Sequence, residues 1–279
     1  MPSKVNYGKY RVNTDGLVFR VDGYSQRSYD HNTEYWRDLA PNGLDVKLTN
    51  SGLYDEASGY YKFRKGASEN NFAAVSGQNF TDLRNLGVLK DKDSSFSVEV
   101  FFGIKRDLST YPDDGAVLFG NTDHNKSGYS YGLVTMTGDG EGGTNQISGL
   151  KAFIASNKID QVTNNSPWTG VEVVLSDVDN PSISGSSFHH AAMTYNGNDG
   201  EMIGYLDGTV KGIGTFPLSN TSGFHDGTAG TYQQFYIGGN DSSGLNVNVG
   251  MVACYNRALS SGEVYGNCKA VKHRYGGGY

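Results

Sequence analysis

Apolar and polar residues alternate with a period of two along most of this chain. The clearest case is Ser95–Phe102, where Phe96, Val98, Val100 and Phe102 fall on one face and Ser97, Glu99 and Phe101 on the other. Similar short runs recur at 17–21, 60–63, 71–75, 116–119, 130–136, 150–155, 171–175, 188–195, 202–206, 234–237 and 249–255. Met202–Leu206 runs into Asp207-Gly208, the dipeptide of a type I′ hairpin turn. The pattern changes once. Ser260 and Glu263 have capping-box spacing, and Val264, Cys268 and Val271 then recur at helical intervals. This predicts a helix over 261–272, lying against the edge or outer face of a sheet and ended by Gly276-Gly277-Gly278. Thr81 to Leu89 reads as a helical turn. About a dozen strands and one convincing helix make an all-β chain: a sandwich of two antiparallel sheets with a short C-terminal helix.

Composition supports one large sandwich. The chain has 279 residues, with 39 Gly, 19 Tyr and 37% hydrophobic residues, which suits many strands joined by many turns. No repeat, heptad run or dividing linker is visible, so the reading is a domain over 15–276, an N-terminal arm over 1–14 and a tail over 277–279. A net charge of -6 gives no support for nucleic-acid binding, and no apolar run is long enough for a membrane helix. Met1-Pro2-Ser3-Lys4 opens without an apolar leader, so synthesis in a cytoplasm is expected. Cys254 and Cys268 have no metal or redox spacing and are expected to be free, buried thiols.

Several stretches resemble a known family. Tyr255-Asn256-Arg257-Ala258-Leu259-Ser260, a short helix and Arg274-Tyr275-Gly276 resemble the C-terminal signature of laminin-G-like, concanavalin A-like jelly rolls, closest to the version in tailed-phage virion proteins. Gly16-Leu17-Val18 with Asp22, then Ser28-Tyr29, Trp36-Arg37-Asp38-Leu39 and Asn42-Gly43, are similar to that family's opening. Phe96 to Phe102, His189-His190 and the Asp207-Gly208 hairpin match further family strands. Two departures stand out: Asp22-Gly23-Tyr24 replaces Asp-Ala-Gly, and Phe63-Arg64-Lys65-Gly66 lacks the family's aspartates. The resemblance implies a jelly roll on the surface of a virion, as capsid decoration or as part of a tail fibre or baseplate, with other virion proteins as partners and weak glycan binding. The alternative is a free-standing, lectin-like carbohydrate-binding module; a glycoside hydrolase ranks below both.

A retaining glycosidase needs two carboxyl groups about 5 Å apart, and the Glu-x-Asp-x-x-Glu strand of related glucanases is absent. Asp139 and Glu141 lie among glycines that fix no geometry, so no catalytic residue is assigned and the chain reads as a non-enzyme. His189 and His190 point to opposite faces of a strand and suit no shared ion. The glycine-rich stretches read as turns. The family resemblance raises calcium, for which Asp113, Asp114, Asn121, Asp123 and Asp241 are the loop candidates, without ordered ligand spacing. No other cofactor is implied. Trp36 and Leu39 are expected in the core, with Asp38 turning the chain. In the arm, Lys4, Tyr7, Lys9, Tyr10 and Arg11 are the candidates for docking on a neighbouring chain.

Overall fold

The computed structural model describes residues 11–29, 34–48, 54–63, 73–76, 86–88, 93–104, 117–121, 131–139, 145–156, 169–176, 188–216, 234–239 and 247–275. In chain order these form β1 (Leu17–Asp22), β2 (Tyr35–Trp36), β3 (Val46–Leu48), β4 (Tyr54–Asp55), β5 (Tyr60–Phe63), β6 (Ala73–Ser76), β7 (Phe96–Ile104) and β8 (Val117–Asn121). Then follow β9 (Tyr131–Asp139), β10 (Asn145–Ser156), β11 (Thr169–Ser176), β12 (His189–Asn196), β13 (Glu201–Leu206), β14 (Thr209–Thr215), β15 (Gln234–Ile237), β16 (Val247–Tyr255) and the helix α1 (Ser261–Arg274). Residues 86–88 form a turn, and the rest of the helical turn expected at 81–89 lies outside the described residues.

The strands make two antiparallel sheets of eight. One runs β14-β13-β12-β7-β16-β5-β4 and the other β11-β10-β9-β8-β15-β6-β3-β2. β16 organises the first sheet. One of its edges pairs with β7, while the other is shared by β5, at Val247–Val249, and β1, at Met251–Tyr255. Between the sheets lies the core predicted from β7: Phe96, Val98, Val100 and Phe102 are fully buried there with Phe19, Tyr61, Phe235 and Ile237. Rings from the two sheets interlock, Phe19 on Phe235 at 5.6 Å and Trp36 on Tyr61 at 4.3 Å.

Glycine is not confined to turns. Val171, Val173 and Leu175 of β11 press onto Gly204 of β13 and Gly212 and Gly214 of β14; a Cβ at Gly204 would sit 2.5 Å from Leu175 Cδ2. Small residues let the sheets close along this side, a packing reason the sequence reading missed. The predicted hairpin turn is present, with positive φ at both Asp207 and Gly208.

The helix lies on the outer face of the first sheet. Its capping box is complete: Ser260 Oγ accepts from the Glu263 N–H, and Glu263 Oε2 accepts from the Ser260 N–H at 2.8 Å. Val264, Cys268 and Val271 are buried as the periodicity requires. Val264 and Val271 join Phe101, Met251, Ala253 and Tyr255 in a second core beneath the helix. Both cysteines are free and buried. Cys254 belongs to the core between the sheets and Cys268 to the covered face of α1, so the sheet separates them. Among the described residues no helix is long and apolar enough to cross a membrane.

Candidate functional site

The two ends of the chain meet in one clasp. Asp22, at the end of β1, is 1% exposed. Arg20 Nη2 donates to it at 2.5 Å, and Arg274 Nη1, from the last turn of α1, donates at 2.6 Å. The Tyr275 hydroxyl donates to the Gly250 carbonyl at 2.7 Å, and its ring lies so close that a Cβ at Gly250 would fall 2.7 Å from it. At the other end of the helix, Arg257 forks onto Glu263, with Nη1 and Nη2 at 3.0 and 2.6 Å. The Arg257 guanidinium holds the Glu263 carboxyl down at about 2. Asn13 also grips the helix, its N–H donating to Asn267 Oδ1 at 2.6 Å. Thus residues that carry the resemblance near both ends of the chain meet at α1: Ser260 caps it, Arg257 grips its first turn, and Asp22 with Arg274-Tyr275 ties its last turn to the sheet.

Asp38 performs a similar task in the opening segment. It accepts from the backbone N–H groups of Arg20, Ala40 and Leu44, each within 2.9 Å, and so turns the chain as expected. Trp36 is fully buried beside it and is a core residue.

At the C-terminal end of α1 a row of aromatic rings lies on the outer face of the sheet. Phe101 forms its floor. Phe188 stacks on Phe101 at 5.2 Å, Tyr60 meets Phe188 at 5.2 Å, Tyr275 meets Phe188 at 5.7 Å and Tyr24 meets Tyr275 at 5.7 Å. Tyr24 is 48% exposed, and Tyr60, Phe188 and Tyr275 are half-buried. Alternation along β5 places Lys62 on the same face as Tyr60, and alternation along β16 does the same for Asn248. Lys62 Nζ reaches Asp55 at 2.6 Å and lies 5.9 Å from the centre of the Tyr60 ring. This ledge gathers partly exposed aromatic rings beside an ammonium, a carboxylate and a carboxamide. Sequence reasoning missed it, because its rings come from positions 24, 60, 188 and 275; the high tyrosine count was the only hint.

The predicted site residues fare as follows. Lys4, Tyr7, Lys9 and Tyr10 lie outside the described residues; Arg11 is exposed, whereas Val12 is buried in the core under the helix. The last part of the expected arm therefore packs on its own chain. Of the calcium candidates, Asn121 ends β8, and Asp113, Asp114, Asp123 and Asp241 lie outside the described residues. Among the described residues no three His, Cys, Asp or Glu side chains gather as a metal site. Asp139 ends β9 and Glu141 is outside the described residues. The two histidines do face apart: His189 lies 6.2 Å from Phe102, on the inner side, and holds Asp207 Oδ2 at 2.8 Å, while His190 is sealed beneath α1. Burial works to raise the Asp207 carboxyl, but hydrogen bonds from His189, the His190 N–H and Lys272 outweigh it and hold it below the ordinary range.

No family model matches the sequence, and neither does any curated protein. Solved structures do match in shape. The binding domain of botulinum neurotoxin serotype D/C aligns with a TM-score of 0.61 at 13% identity over 92% of this chain. The binding domain of botulinum neurotoxin DC in complex with SialylT gives 0.61 at 12% identity, also over 92% of this chain. The Trypanosoma rangeli sialidase in complex with sialic acid gives 0.55 at 16% identity over 94% of this chain. The chain spans 52% of the toxin domains' length and 34% of the sialidase's. At these identities the likeness is one of fold, and the fold is the antiparallel β-sandwich of these domains.

Proposed function

We propose that this protein is a non-catalytic, lectin-like module that binds glycans on the aromatic ledge of Tyr24, Tyr60, Phe188 and Tyr275. The ledge carries the reading. One face of a pyranose ring is a patch of C–H groups, which packs on aromatic faces, while its hydroxyls need hydrogen-bonding groups at the rim. Lys62, Asp55 and Asn248 stand at that rim. Among the described residues the cations here, Lys62 and Arg274, already hold Asp55 and Asp22, which favours neutral pyranosides over anionic sugars. The glycan ligands named for the structural neighbours belong to those proteins, and they lend general support for glycans as the ligand class. The non-catalytic half of the reading is supported by Glu99, the carboxylate at the centre of the main sheet, which is fully buried beneath α1 and out of reach of a polysaccharide.

A glycan array probed with the wild type and with the Tyr24→Ala/Tyr60→Ala double variant tests this. Neutral pyranosides are expected to bind. Affinity should fall roughly five- to a hundred-fold in the double variant, since each stacking contact contributes about 0.5–1.5 kcal/mol. Tyr35→Ala/Tyr265→Ala, which removes exposed tyrosines elsewhere, should bind as the wild type does. Equal binding by both double variants would place the ligand off the ledge.

We further propose that the module is displayed on a particle surface. The motif resemblance of residues 255–260 and 274–276 is what supports display on a tailed-phage particle, with virion proteins as partners. Gold-labelled antibody should decorate purified particles; bare particles would leave the free-standing module.

A further inference from the structure

Beneath α1 lies a buried pair of titratable groups that the ledge does not use. Glu99 on β7 and His190 on β12 are both 0% exposed, and Glu99 Oε1 stands 3.6 Å from His190 Nε2. Glu99 Oε2 accepts from Asn267 Nδ2 of α1 at 2.9 Å and from the Tyr255 hydroxyl of β16 at 3.4 Å. Glu99 Oε1 and both ring nitrogens of His190 have no hydrogen-bond partner among the described residues. Other charged groups act from farther away: Arg20 of β1 and Glu263 of α1 on Glu99, and Asp207 and Lys272 on His190. His189 sits next in the chain but faces the other way. Glu99 is thus a carboxyl roofed by a helix, with neutral donors on one oxygen and an imidazole near the other.

We propose that Glu99 and His190 together hold a single proton beneath the terminal helix, and that losing it at alkaline pH loosens α1 from the sheet. Two buried charges of unlike sign, or two neutral groups, are the tolerable states here, and both contain one proton. A lone carboxylate or a lone imidazolium in this space lacks a counter-charge. Water can reach an ionised Glu99 once the helix that covers it lifts.

The sign follows from proton counting. Burial raises the Glu99 carboxyl from 4.5 to about 8, against the two hydrogen bonds it accepts. Burial lowers the His190 imidazole from 6.5 to about 4. The raised carboxyl stabilises the fold below 4.5, and that contribution is lost as pH rises through about 8; the depressed imidazole contributes above 6.5, and its share is lost as pH falls through about 4. Together, the folded pair keeps one proton from about 4 to about 8, whereas the unfolded chain keeps one only between 4.5 and 6.5. Stability from this pair is flat between 4.5 and 6.5 and falls on either side. The alkaline fall is the larger, roughly thirty-fold in the folding constant between the unfolded imidazole's value and the folded carboxyl's. Moving the proton from carboxyl to ring changes none of these counts.

The test compares the wild type with Glu99→Gln, which keeps shape and hydrogen-bonding capacity but cannot ionise. Unfolding free energy is measured from acid to alkaline pH. The wild type should lose stability above pH about 6.5, while E99Q should be flat there and lose stability as pH falls below the same point. Parallel profiles would overturn the shared proton. Thiol labelling reports the helix directly. Cys268, on the covered face of α1, should react faster in the wild type than in E99Q at alkaline pH, while Cys254 in the inter-sheet core stays protected. Equal Cys268 rates in both proteins, or Cys254 reacting alongside Cys268, would overturn the loosening of α1.

Discussion

Replacing Val271 by aspartate is expected to destabilise the protein by about 4 kcal/mol. Val271 is fully buried, in a core it shares with Phe101, Met251 and Ala253. An aspartate there either carries an unpaired charge into an apolar space or drives α1 off the sheet. The second outcome forfeits the burial of Val264, Leu259 and Ala270 as well, because they share this core. For a chain of this size the loss should lower the melting temperature by roughly 8–15 °C. Calorimetry of V271D checks it, and a melting temperature within a degree of the wild type would mean the face is not buried.

Asp22→Ala should cost about 3 kcal/mol, measured by chemical denaturation. The carboxylate is 1% exposed and receives two guanidinium groups, from Arg20 within its own strand and from Arg274 at the end of α1. Removing it takes a carboxylate away from two largely buried guanidinium groups and unties the last turn of the helix. Asp22→Asn should be milder, since the amide oxygen still accepts. Were D22A to lose less than half a kilocalorie per mole, the clasp would be an incidental surface contact.

These sites differ in how far the sequence exposed them. The two faces of β7 could be read directly, because a strand's side chains alternate and Phe96, Val98, Val100 and Phe102 share one parity. The helix was equally legible: Ser260 and Glu263 are local partners, and Val264, Cys268 and Val271 recur with the helical period. The buried side of α1 could be read in this way, but not the surface it meets. That surface is built by β7, β12, β13 and β16, whose neighbours are set by sheet order. The Asp22–Arg274 pair joins residues 252 positions apart, so no local pattern signals it. Glu99 read as an outward, polar position on its strand, yet it is buried, because the helix turns the sheet's outer face into a second interior. The ledge was hidden for the same reason as the clasp. Tyr24 belongs to a turn, Tyr60 to β5, Phe188 to the entrance of β12 and Tyr275 to the helix cap, and only the fold brings them together.

The central claim is that the ledge is where a glycan sits. The most direct measurement is a backbone and side-chain NMR titration with the best neutral pyranoside from the array. The account predicts that shift changes gather on Tyr24, Tyr60, Lys62, Phe188, Asn248 and Tyr275 and vanish in the Tyr24→Ala/Tyr60→Ala variant. Shift changes that gather elsewhere on the sandwich and survive that substitution would contradict it.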